Sequence, residues 1–200
     1  MKAAGTIQAW VIALAALALG AWLMAQLPDP EALSQQPFEH SAKAGDDVML
    51  RTARIRLLSV DASSRIFVPK QTDAGGVNTG ISANGVFLVP TIELRGKGES
   101  VAVGNLEILA RDGRVFGGLQ AIGSNGCGSA PPDLPVRCQL VFEVDKSALA
   151  GAKLLVPAGG KADDMAVIDL GIDESKARQL AVNQAILKIS AAQPGWAVAR

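Results

Sequence analysis

Few side chains here have the chemistry to act, and their spacing withholds most reactions. His40 is the sole histidine. A hydrolytic triad needs a base, usually His, beside a nucleophile. His40 stands alone at the end of a Pro- and Ser-containing stretch, so it is expected to be solvated. Cys127 and Cys138 are the two cysteines. They lack the Cys-x-x-Cys spacing of a redox pair, and with one histidine they fall short of a four-ligand zinc site. In an oxidising compartment they read as a disulfide. The loop so closed, of about 12 residues, would gain roughly 3 kcal/mol. Asp46-Asp47 and Asp163-Asp164 offer oxygen ligands that Ca²⁺ accepts, but loop acids are usually just solvated. No Gly-x-x-x-x-Gly-Lys phosphate loop occurs. Paired carboxylates for a glycosidase lack the aromatics that stack on sugars. The expectation is a protein with no catalytic residue, no cofactor and no resident metal, and not an enzyme.

Composition narrows the partners in the same direction. Lys and Arg total 19, Asp and Glu total 19, and the formal net charge is zero. No basic run exists, so nucleic-acid binding has no electrostatic footprint. Tyr is absent and aromatics make up 4% of the chain, which argues against stacking platforms for bases.

The elements that must carry these residues begin with Ile7 to Leu27, IQAWVIALAALALGAWLMAQL, apolar and without charge. A bilayer core of about 30 Å needs roughly 20 such residues as a helix. Signal peptides have shorter apolar runs and a small-x-small cleavage site. Leu23 fits the minus-three position poorly, so an uncleaved anchor is favoured over a cleaved signal. Trp10 and Trp22 lie near the two ends, where Trp prefers the membrane–water interface. Lys2 precedes the run and Asp29 and Glu31 follow it. Positive charge stays cytoplasmic, which predicts an inner-membrane single-pass chain, N-terminus inside and the remainder outside. Residues 1–27 are thus expected to be the anchor, with residues 7–27 in the lipid bilayer. Residues 28–45, holding Pro28, Pro30 and Pro37, read as a spacer.

Residues 46–172 read as strands separated by turns. In Val48 to Val60, Ala53, Ile55 and Leu57 share one face with Arg54 and Arg56 opposite, the period of a half-buried strand. Ile66 to Pro69 is a short edge piece. Gln71 to Gly85 is a Gly- and Asn-containing loop. In Val86 to Arg95, Val86, Leu88, Ile92 and Leu94 should point inward, and Pro90 implies a free edge or a bulge. Val101 to Ala110 shifts phase at Gly104-Asn105. Asp112-Gly113 predicts a hairpin returning through Val115 to Leu119. Ala121 to Pro135 is a second loop, and Val136 to Val144 alternates cleanly. Ala152 to Val156 and Met165 to Ile172 complete seven or eight strands. The pattern argues an antiparallel β-sandwich. No βαβ alternation supports a doubly wound fold.

Residues 173–200 change character. Glu174 to Ala192 carries helix formers, with Asp173 as cap and Pro194-Gly195 as stop. This helix packs either on its own sandwich or on a partner or the bilayer surface.

The run GVFLVPTIEL, the Asp112-Gly113 hairpin and VFEVDKSALAGAKLLV resemble the telokin-like, immunoglobulin-type domains of bacterial lipoproteins and membrane-anchored envelope proteins. The resemblance spans roughly Gly45 to Ile172, and the chain lacks a lipobox cysteine after its apolar run. It implies an all-β, immunoglobulin-like sandwich with one N-terminal transmembrane helix and a C-terminal helix. It further implies an accessory or protein-interaction module of the bacterial cell envelope, with an envelope or membrane protein as partner. The alternative is a binding protein for a small envelope ligand or ion, using loops 71–85 and 121–135 at one end of the sandwich.

Overall fold

The computed structural model describes residues 3–26, 38–68, 80–119, 127–158, 164–190 and 193–194; side chains of residues 3–11, 26 and 193–194 are outside the description. The chain divides into two compact units, Met1–Gln36 and Pro37–Arg200.

The first unit holds helix α1, Ala3–Gln26, 24 residues without an acidic or basic side chain. At 1.5 Å per residue such a helix is about 36 Å long. Among the described residues no helix is long and apolar enough to cross a membrane.

The second unit is a sandwich of two sheets. In chain order its strands are β1 Phe38–Lys43, β2 Asp47–Met49, β3 Ala53–Phe67, β4 Ile81–Gly96, β5 Val101–Ala102, β6 Glu107–Leu109 and β7 Val115–Gly117. They continue as β8 Ser129–Ala130, β9 Pro135–Gln139, β10 Phe142–Val144, β11 Lys153–Pro157, β12 Asp164–Asp169, β13 Leu187–Lys188 and β14 Gln193–Pro194. The first sheet runs β1-β12-β11-β6-β7. The second runs β13-β3-β4-β9-β14, with β2 on β3 and β10 on β4, and β5 pairs β8 apart from both. Period-two side chains from facing strands make one core. It takes Ala53, Ile55 and Leu57 from β3, Leu88, Ile92 and Leu94 from β4, Leu154 and Val156 from β11, and Ala166 and Ile168 from β12.

Several expectations are corrected here. Residues 38–43, placed in the spacer, form edge strand β1, and the compact unit starts at Pro37 rather than residue 46. Five of the strand's six residues are exposed, so it shows no apolar alternation to read. Val48 to Val60 is a hairpin rather than one strand, because the Leu50 amide donates to the Ala53 carbonyl (2.8 Å) and folds β2 back on β3. Ile66 belongs to β3, and Ile81 to Gly85 belong to β4 rather than to a loop. Gly85 is required at its position, since a Cβ would stand 2.2 Å from the Val144 carbonyl oxygen.

Pro90 is not at a free edge. It lies in the central strand, and its carbonyl accepts from the Leu140 amide (2.9 Å). The missing proline N–H coincides with the break between β9 and β10, which keep one register along β4. The sandwich is not wholly antiparallel either: β1 runs parallel to β12, and β13 parallel to β3.

The second helix, α2, is Glu174–Ala181 and stops well short of Ala192. The Asp173 side chain caps it by accepting from the Lys176 amide (2.7 Å). Its early end has a tertiary cause. Asn183 Nδ2 donates to the Ala62 carbonyl (2.7 Å), and the Asn183 carbonyl accepts from the Ser64 amide (3.1 Å). These bonds pull the chain off the helix axis and onto β3. The helix buries Ala177 in the main core, and Ile189 joins Ile66, Phe87, Val89 and Val141 in a second apolar cluster. The C-terminal segment therefore packs on its own sandwich.

Candidate functional site

The two cysteines are brought together. Cys138 is carried by β9 opposite Ile92, and Cys127 lies just ahead of β8. Both are buried, and the pair sits at disulfide distance with Cα atoms 5.1 Å apart. Each thiol is packed in the main core, so the link is positioned as a staple and not as an exposed redox couple.

His40 is not simply solvated. Its Nε2 lies 2.6 Å from Asp164 Oδ1. Asp164 is buried and its Oδ2 accepts from the Arg51 amide (2.6 Å). This carboxylate ties edge strand β1 and the β2–β3 turn to the start of β12. No local pattern signals it, because Arg51 is 113 positions away. The neighbouring acids are also taken up by protein donors: Asp46 Oδ2 accepts from the Lys43 amide (3.2 Å), and Asp47 pairs with Arg54. Asp163 lies outside the described residues. Among the described residues no group of three or more His, Cys, Asp or Glu side chains gathers as a metal set.

Trp22 is exposed on α1, and the side chain of Trp10 lies outside the description. Of the two loops considered for ligand binding, residues 71–79 and 121–126 lie outside the described residues. A concavity of about 250 Å³ is lined by Gly104, Leu106, Gly117, Gly118 and Phe142, with Glu107 its one ionisable residue.

A cluster of charge lies on the outer face of the second sheet. Inward-facing Ala53, Ile55, Leu57, Ile92, Leu94 and Cys138 leave Arg54, Arg56, Glu93, Arg95 and Arg137 pointing out by strand alternation. Register places Arg54 directly across from Arg95. Arg56, Glu93 and Arg137 form a second row across three strands, with Asp47 beside Arg56. Arg137 Nε lies 3.3 Å from Glu93 Oε2, and Arg56 Nε donates to the Gly45 carbonyl (3.0 Å). The Arg54 hydrogen bond, reinforced by the charges of Arg54, Arg56 and Arg95, holds the Asp47 carboxyl below its ordinary range. Arg95 makes no ion pair among the described residues. Four arginines thus share this face with Asp47 and Glu93, and register adds Asp61 opposite Val89 and Glu143 opposite Phe87. The other half of the same face is apolar and buried: Ile66, Phe87, Val89 and Val141 pack with Ile189 of the C-terminal segment. Sequence patterning marked Arg54 and Arg56 as outward but did not bring Arg95 and Arg137 beside them.

No protein-family model matches the chain, and no curated protein does. Among solved structures it is similar to an uncharacterised β-sandwich protein of Clostridium difficile 630, with 9% identity over 72% of this chain and 99% of that one, at a TM-score of 0.44. It is similar to the yjhA protein of Bacillus subtilis, with 14% identity over 64% of this chain and 97% of that one, at a TM-score of 0.48. A third likeness is to the secreted protein MPT63 of Mycobacterium tuberculosis, with 14% identity over 67% of this chain and 99% of that one, at a TM-score of 0.47. Likenesses at this level carry no argument about activity. The sandwich architecture rests on the strand pairing above.

Proposed function

We propose that this protein is a single-pass, membrane-anchored sandwich that serves as an accessory or interaction module of the bacterial cell envelope. One observation carries the reading: an uncharged 24-residue helix forms its own unit ahead of a separate β domain. In this reading α1 is lodged in the inner membrane with Trp10 and Trp22 toward its interfaces, and the sandwich lies outside. A buried cysteine pair at disulfide distance suits an oxidising compartment. The interior of the sandwich is filled by apolar side chains, which leaves its outer surfaces for recognition. The finer assignment, a telokin-like, immunoglobulin-type envelope domain, belongs to the same proposal.

Chemical cross-linking in intact cells, followed by mild-detergent extraction and affinity capture of the full chain, tests it. A reproducible cross-linked envelope or membrane protein is the expected result. A chain that stays uncross-linked and migrates alone would defeat the accessory reading.

A further inference from the structure

We propose that the outer face of the first sheet is a self-docking surface, on which a second copy of this chain packs face to face about a two-fold axis. The inference concerns the sandwich alone and is independent of where α1 resides.

Pattern is the first argument. In β11 and β12, Leu154, Val156, Ala166 and Ile168 point into the main core. Leu155, Pro157, Met165 and Val167 therefore point outward by strand alternation. Leu109 of β6 and Val115 of β7 continue that side across the sheet. The solvated face of a sheet is ordinarily polar, and this one is apolar at its centre. Val167 is 7% exposed, yet it joins neither apolar cluster of the domain. The C-terminal segment, which buries the apolar half of the other outer face, pairs with β3 and β9 of the second sheet.

Charge is the second argument. Register arranges the face in three rows. Lys43, Asp169 and Lys153 stand side by side at one end. Ser41, Val167, Leu155 and Glu107 make the middle row. Glu39, Met165 and Pro157 make the other end. The two lysines outnumber Asp169 at the first end, and Glu39 makes the last end negative. Glu39, Lys43 and Lys153 make no ion pair among the described residues. A two-fold axis across the strands, along the middle row, turns one copy end for end over the other. Each Lys43 then meets Glu39 of the second copy. Glu107 lies toward the rim of the middle row, where its register partner Gly117 has no side chain and leaves it room to turn to solvent.

Shape is the third. A concavity of about 260 Å³ opens over Val167, lined by Ser41, Lys43, Lys153 and Asp169. The same rotation sets Met165 of the second copy opposite Asp169, over this concavity. A methionine side chain adapts to irregular gaps, and lysine stems give them apolar walls. The symmetry repeats the contact on the other side of the axis.

Area sets the strength. The sheet has five strands. Strands about 4.8 Å apart and up to about 20 Å long offer roughly 400 Å² per copy. About 800 Å² in total is small for a stable complex, so the pairing is reversible.

The test mixes full chains labelled after Arg200 with donor or acceptor dye, in detergent with micelles in excess over chains, and reads self-association by energy transfer at low salt. The parent should associate reversibly. Glu39→Lys alone and Lys43→Glu alone should each weaken association about tenfold, since each places like charges together at two symmetric contacts, with thermal midpoints unchanged. Donor-labelled Glu39→Lys mixed with acceptor-labelled Lys43→Glu should regain the parental level, because the reversed charges then face opposite charges across the axis. Met165→Ala should weaken association at least about fivefold. A parent without energy transfer overturns the proposal. Single charge variants that associate like the parent overturn it and leave the contact to another surface. A mixture no tighter than either variant alone also overturns it.

Discussion

Replacing Ile189 by alanine tests how the C-terminal segment is held. Ile189 is 1% exposed and packs with Ile66, Phe87, Val89 and Val141. Truncating a buried isoleucine to alanine costs about 2–5 kcal/mol, depending on how far the site collapses. The cluster has five buried members, small beside the main core, and the segment over it is free to settle. The backbone bonds of this segment survive the change: Ile189 amide to Phe67 carbonyl (2.8 Å) and Ser190 amide to Gln139 Oε1 (2.7 Å). The low end of the range therefore applies, about 2–3 kcal/mol. For a domain of this size that lowers Tm by roughly 5–10 °C. Thermal melts followed by far-ultraviolet circular dichroism on the detergent-held full chain give the number. Ile186→Ala is the control, because Ile186 is 54% exposed on the same segment and should change stability by less than about 0.5 kcal/mol. If both variants melt with the parent, the tail does not rest on the second sheet and the reasoning fails.

Three further outcomes follow from named contacts. Asn183→Ala removes the donor to the Ala62 carbonyl and the acceptor for the Ala185 amide, and should cost about 2 kcal/mol in urea titration, whereas a merely exposed asparagine would cost nothing measurable. Replacing Cys127 and Cys138 together by serine, or reducing them, should lower stability by about 3 kcal/mol on the loop-closure argument; identical denaturation midpoints with and without reductant would refute the link. The Asp112 carboxyl is held below its ordinary range, first by the Arg114 amide and then by the Arg114 side chain. A carboxyl with a lowered folded pKa stabilises above its unfolded pKa and loses that contribution as pH falls through the folded value. Asp112→Asn should therefore be less stable than the parent near pH 7 and match it by about pH 2; a constant difference across that window contradicts the assignment.

Legibility in the sequence followed local pattern. Ala53, Ile55 and Leu57 against Arg54 and Arg56 were read correctly, because alternation within one strand depends on nearest neighbours alone. The Asp112-Gly113 turn was equally plain, since Gly113 takes a positive φ of 87° that glycine adopts without strain. The Cys127–Cys138 proximity was legible from composition and spacing. What stayed hidden was set by distant partners. Strand β1 looks like a linker because its exposed residues have no pattern, and its place is fixed by register with β12 and by Asp164. Leu187 to Ile189 reads as helix by its apolar spacing, yet Asn183 and the exposed backbone edge of β3 draw it into a strand. Phe87 and Val89 sit on the outward face of β4, where strand alternation alone leaves them unexplained. They are a second buried surface, and only the covering tail explains it. The arginine face is of the same kind: each residue is visible in its own strand, and their convergence is a property of register.

The proposal that α1 holds the sandwich at the far side of a membrane is tested by the topology of the full chain. Alkaline phosphatase and green fluorescent protein are each fused after Arg200 of the full chain, and membranes are washed with alkaline carbonate. An anchored sandwich gives an active phosphatase, a dark fluorescent protein, and a product that stays in the membrane with α1 still attached. A fluorescent fusion with inactive phosphatase, or a carbonate-soluble product lacking α1, would contradict it.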